Sequence, residues 1–144
     1  MRRLPIILLL VAISACAGGD GPAIAIEGAY AYEPVLGDVG AVYLTIVNDG
    51  AAADTVVGVE VRGALVAMIH EQVSDGDRME MRHVGPLPVP AGGRVELAPG
   101  GYHVMIEGLD HPPAAGDTLD VTLRFARTGS VAARAPVLPY GTER

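Results

Sequence analysis

The most informative absences in this 144-residue chain are covalent and aromatic. It has one cysteine, no tryptophan and one phenylalanine. A single thiol excludes an intrachain disulfide, so the fold must stand on its core alone. With the large aromatics missing, that core has to be built from Val, Leu, Ile and Ala. Lysine is absent too: all ten basic residues are arginine, scattered against 17 acidic residues. An acidic chain without basic clusters lacks the phosphate-neutralising surface that drives nucleic-acid binding, which argues against nucleic-acid partners. No apolar run is long enough to cross a bilayer; the longest, residues 4–15, is far short of the roughly 20 residues a spanning helix needs.

That run has another reading. Met1-Arg2-Arg3 supplies a basic start, the apolar stretch follows, and Ile13-Ser14-Ala15-Cys16 resembles the lipobox of bacterial lipoproteins. Residues 1–15 are therefore expected to be a lipoprotein signal peptide, with Cys16 the lipidated N-terminus. The alternative is a spare thiol in a signal peptide cut elsewhere. Residues 16–23, rich in Gly, read as the lipidated Cys and a flexible tether. Cleavage would leave eight arginines against 17 acidic residues, a formal charge of −9, and no free thiol for catalysis. Localisation is expected to be periplasmic or extracytoplasmic on a membrane lipid anchor. Ala17-Gly18 lacks the aspartate associated with inner-membrane retention, which favours the outer membrane in a Gram-negative cell.

From residue 24 onward short β-branched runs alternate with Gly, Pro, Asp and Asn clusters, and no long amphipathic helix appears. This is the pattern of an all-β sandwich or barrel, and two packed sheets suit a chain of this size. Strands are expected at 24–32, 40–48, 54–61, 65–73, 79–83, 94–97, 103–107 and 118–127. The pleat is legible inside them. Val42, Leu44 and Ile46 alternate with Tyr43, Thr45 and Val47; Leu119, Val121, Leu123 and Phe125 alternate with Asp120, Thr122 and Arg124. The expected domain is residues 24–127. Residues 128–144, with little pattern and two prolines at 136 and 139, read as a loose C-terminal tail.

What stands out is a cluster of soft donors. Beyond Met1, every methionine (Met68, Met79, Met81, Met105) and three of the four histidines (His70, His83, His103) fall between positions 68 and 105. In a strand, residues two apart share a face at roughly 6.6 Å spacing, so His103 and Met105 can bend toward one point. Met79, Met81 and His83 share a face likewise, and so do Met68 and His70. Imidazole with thioether suits a soft, monovalent ion: neutral, polarisable sulfur favours Cu(I) and binds Mg²⁺ or Ca²⁺ poorly. Zn²⁺ prefers thiolate, imidazole and carboxylate. Thioether sulfur needs no deprotonation and forms no disulfide in an oxidising compartment.

The spacing His70, ten residues, Met81, twenty-one residues, His103, one residue, Met105 resembles the H-x10-M-x21-H-x-M signature of the periplasmic copper chaperones of the PCuAC family (DUF461). The flanking text is similar as well: Gly40-Ala41-Val42-Tyr43-Leu44-Thr45-Ile46, Met79-Glu80-Met81-Arg82, and Pro99-Gly100-Gly101-Tyr102-His103-Val104-Met105. The resemblance implies a cupredoxin-like or immunoglobulin-like β-sandwich of about seven to nine strands. It also implies Cu(I) held by His70, Met81, His103 and Met105, then delivered to the Cu(A) centre on subunit II of cytochrome c oxidase or to another copper acceptor. A blue-copper centre is excluded, because that needs a cysteine thiolate. Some members of the family carry a His- and Met-rich tail for a second copper; after Phe125 this chain contains neither residue.

Other readings stay open around these four. Met68 and Met79 are candidate auxiliary ligands, with core packing the alternative for Met68 and packing or a rim position for Met79. His83, on the Met81 face, is either a substitute ligand or a solvent-exposed strand histidine. Glu71 would serve as an outer acceptor orienting an imidazole, or is a solvated charge. His111 reads as a loop residue, and Tyr102 as shaping the loop. The leading function is a monomeric, lipid-anchored metallochaperone; a copper buffer or resistance protein is the alternative. An enzyme is not expected, since no general base accompanies the donors.

Overall fold

The computed structural model describes residues 19–35, 37–76 and 78–143, so Cys16 and the anchor reading lie outside the described residues. Among the described residues ten strands form two packed sheets, more than the seven to nine expected, and none is helical. The first sheet runs β5 (Arg78–His83), β4 (Ala64–Asp75), β8 (Tyr102–Leu109), β2 (Gly40–Asn48) and β1 (Ile24–Tyr32), with β7 (Gly93–Leu97) also on β2. The second runs β10 (Gly129–Leu138), β9 (Thr118–Phe125), β3 (Asp54–Val61) and β6 (Leu87–Val89).

Alternation decides which side of each strand is buried. Val42, Leu44 and Ile46 of β2 and Val104 and Ile106 of β8 point into the sandwich, where they meet Leu119, Val121, Leu123 and Phe125 of β9. The opposite face of the first sheet is thereby left outward. It is on this outer face that the soft donors lie.

The segment from 128 is not a loose tail. β10 pairs with β9 from Gly129 to Pro136, then shifts to run parallel with β1 at Ala31–Val137 and Tyr32–Leu138, joining the two sheets. Its inward residues are small (Val131, Ala133, Ala135 and Val137), which weakens the apolar alternation in the sequence. Pro136 reads as a breaker but stands where the strand changes partner, at a position where the missing N–H is not needed. β6 was hidden likewise: Leu87 and Val89 are buried while Pro88 between them is exposed on a sheet edge.

β2 has two partners along a single edge, β8 beside Gly40–Val42 and β7 beside Leu44–Asn48. The chain steps from one to the other in a turn closed by the Gly101 N–H donating to the Ala98 carbonyl at 3.0 Å. Gly100 takes φ of 86° there, a left-handed conformation a side chain would strain. The step delivers Tyr102 and His103 to the start of β8.

Two buried polar side chains pin loops of the kind that disulfides hold in other small domains. Asn48 is fully buried: its Oδ1 accepts from the N–H groups of Ala23 and Gly50, and its Nδ2 donates to Ala52 O. Asp54 accepts from the N–H groups of Thr55, Arg127 and Thr128 and from the Thr128 hydroxyl. Burial alone would raise the Asp54 carboxyl, but these bonds outweigh it and hold the group at about 2.

A carboxyl held at about 2 instead of 3.8 contributes about 2 kcal/mol to folding above pH 4. That stability is lost as pH falls from 3.8 through 2, so acid titration of Asp54→Ala should lack this part of the acid limb, and its urea midpoint at pH 7 should fall by the equivalent of about 2–3 kcal/mol. Ending the chain at Thr128 should abolish cooperative urea unfolding altogether. It strips β9 of a ladder partner and exposes apolar side chains worth about 1.5–3 kcal/mol each, against a typical total stability of about 5–15 kcal/mol.

Candidate metal centre

The register of β4 between its two neighbours builds the centre. His70 stands directly opposite His83 of β5 on one side and His103 of β8 on the other. Residues directly opposite in a sheet project to one face, so the three imidazoles form a row. The His70 and His103 ring centroids are 6.0 Å apart at 73°, and those of His70 and His83 are 6.0 Å apart at 76°. In the same registers Met68 lies opposite Met105, and Gln72 opposite Met81. Exposure rises along the row: His103 is buried, His70 half-buried and His83 exposed.

His103 is held by its neighbourhood. Its Nδ1 lies 3.2 Å from the Gly101 carbonyl, and the Tyr43 ring packs 6.5 Å away. A carbonyl only accepts, so Nδ1 carries the proton and Nε2 keeps its lone pair for a ligand. His70 differs: its Nδ1 is buried with no hydrogen-bond partner. A buried polar atom in that condition costs about 1–3 kcal/mol unless something binds it. Burial pushes the His70 imidazole below its ordinary range, and the neighbouring His103 and His83 push it further; only Glu107 opposes them. The ring is thus kept neutral, the form that can donate an electron pair to a metal.

His70, Met81, His103 and Met105 all line a single open hollow of about 360 Å³, together with Tyr43 and Tyr140. Met81 stands at its mouth, 58% exposed, while His103 is at its floor, 6% exposed. An ion about 2 Å from one nitrogen of each of two rings leaves their centroids no more than about 6.5 Å apart, so His70 and His103 can share one. Among the described residues no three His, Cys, Asp or Glu side chains converge as a metal-binding group. Beyond two imidazoles, the donors this hollow offers are thioether sulfurs, which suit a soft ion.

The other candidates are placed elsewhere. The Met79 sulfur accepts hydrogen bonds from Gln72 Nε2 and Ser74 Oγ, each at 3.3 Å, and the residue is outside the hollow. Met68 and His83 line a neighbouring hollow of about 230 Å³. Strand alternation turns Glu71 away from the His70 face, so it does not orient that ring; it stands opposite Arg82 and Tyr102. Tyr102 packs against the core, and His111 is exposed beyond the end of β8. Sequence reasoning missed Tyr43 and Glu107. Both signals were available: Glu107 shares a strand face with His103 and Met105, and Tyr43 alternates with core residues of β2, but their place beside the histidines depends on pairing.

This fold recurs in known proteins. The family model described as "Putative lipoprotein LpqE-like" matches residues 24–137. "Putative lipoprotein Lxx21020" of Leifsonia xyli subsp. xyli is 34% identical over 94 residues, which is 65% of this chain and 57% of that protein. The chain therefore spans little more than half the length of that relative. The copper-bound PCuAC domain from PmoF2 is 26% identical with a TM-score of 0.66, covering 85% of this chain and 96% of that one. The solution structure of CuI-DR1885 from Deinococcus radiodurans is 28% identical with a TM-score of 0.63, covering 81% and 79%. The chain belongs to the LpqE-like family, and its fold is the cupredoxin-like fold of PCuAC domains.

Proposed function

We propose that this protein is an extracytoplasmic Cu(I) carrier that binds one ion through His70, Met81, His103 and Met105 and hands it to an acceptor protein. The observation that carries the reading is that these four side chains, from three strands, line one hollow. Support comes from the orphaned, neutral His70 ring, from the soft donor set, and from relatives of the same fold whose structures are copper-bound. It acts as a carrier rather than an enzyme, and works as a monomer. Its acceptor is the Cu(A) centre on subunit II of cytochrome c oxidase. The lipid anchor at Cys16 fits the relatives described as lipoproteins; the outer-membrane placement has no support among them, and the proposal stops at an anchor on an extracytoplasmic membrane face.

Release follows from the donors. Neutral thioethers are exchangeable ligands, and Met81 stands at the mouth, where an incoming thiolate can reach the ion. Transfer by such exchange leaves copper as Cu(I) throughout.

The test is an anaerobic Cu(I) titration of the chain from residue 17 against a competing chromogenic chelator. The wild type should hold one Cu(I) per chain, and His103→Ala and Met105→Ala should each weaken it by about tenfold or more, the consequence of losing some 1.4 kcal/mol of binding. Wild-type affinity no better than that of the two variants would refute the site. Delivery is tested in cells: deletion should lower oxidase activity, with added copper restoring it, whereas copper sensitivity alone would assign the protein to buffering.

A further inference from the structure

Three histidines in a row across one sheet face are more than a single four-donor site uses. His70 has nearly the same relation to His83 as to His103, 6.0 Å and 76° against 6.0 Å and 73°. Yet the three do not converge as one metal-binding group. They form two overlapping pairs that share His70. Either pair lies within the roughly 6.5 Å that one bridging ion permits between ring centroids, so an ion can be held by the pairs in turn.

The second pair lies outward of the first. Every residue of β5 is exposed and the strand is an edge of the sheet, whereas His103 is buried beneath the hollow. Met81 belongs to both positions: it lines the hollow with His70 and shares a strand face with His83 two residues on. Met79, the other sulfur on that face, is occupied by its hydrogen bonds from Gln72 and Ser74.

We infer that His83 is a relay ligand: Cu(I) leaving the buried site shifts one strand outward to His70, His83 and Met81 before it passes to an acceptor. The bonds from copper to His103 and Met105 break and one to the His83 imidazole forms. His70 and Met81 remain bound, and no electron moves. The inference rests on the carrier reading above and deepens it, by giving the ion a staging point on the exposed edge strand, where an acceptor can reach it.

The experiment compares wild type, His83→Ala, His83→Met and Met79→Ala, each loaded with one Cu(I) under anaerobic conditions. Equilibrium affinity is read with the chromogenic chelator, and the transfer rate by stopped flow to a peptide carrying a Cys-x-x-Cys dithiol. His83 is exposed, so its replacement should leave the fold intact, and thermal unfolding of the apo-proteins checks this. The relay predicts affinity of His83→Ala within about twofold of wild type and transfer slower by roughly tenfold, equivalent to about 1.4 kcal/mol of barrier. His83→Met, which keeps a soft donor, should recover most of the rate, and Met79→Ala should transfer as wild type does. Transfer from His83→Ala at the wild-type rate would overturn the relay while leaving the carrier reading intact. So would a loss of affinity as large as that of His103→Ala, which would make His83 a resting ligand. Failure of the wild type to bind Cu(I) would instead remove the carrier reading, and the relay with it.

Discussion

The centre depends on the register of β4 between β5 and β8. A sheet has a period of two, so a slip of one residue on either side would carry His70 to the core face and bring Ile69 out. That exchange would bury a polar ring and expose an apolar side chain. The core residues Ile69, Val104 and Ile106 therefore hold the register, although none of them touches the hollow. The hydrophobic effect positions the donors indirectly, by deciding what the other face must do.

The same economy explains how the centre combines a fixed base with an open mouth. His103 is anchored by the Gly101 carbonyl, by Tyr43 and by burial, so its lone pair is oriented before any ligand arrives. Met81 is on an edge strand with solvent on one side and bears no such constraint. A site that is rigid at the floor and loose at the lip can discriminate by donor chemistry and still release its ion. The row from His103 through His70 to His83 extends that gradient across three strands.

Stability in a chain without a disulfide falls on the sandwich core and on two buried polar residues. Asn48 and Asp54 do what cross-links do in many small exported domains: each gathers loop backbone from distant parts of the chain. Their bonds cost nothing in polar burial because the donors and acceptors are matched. β10 completes the arrangement by belonging to both sheets.

By itself the sequence determined the fold class, most strand positions and which four side chains to look for in one hollow, because alternation and residue spacing are local properties written along the chain. Val42, Leu44 and Ile46 had to face one way whatever they packed against, and His103 and Met105 had to share a face. The same local signals failed at β6 and β10, where proline and alanine mask a strand whose existence depends on a partner. Only the tertiary structure decided which faces meet. It placed Glu107 rather than Glu71 within electrostatic reach of His70, brought Tyr43 against His103, tied up the Met79 sulfur and set His83 beside His70. Each of these is a cross-strand relation, fixed by register between segments far apart in the chain, and no local pattern encodes it.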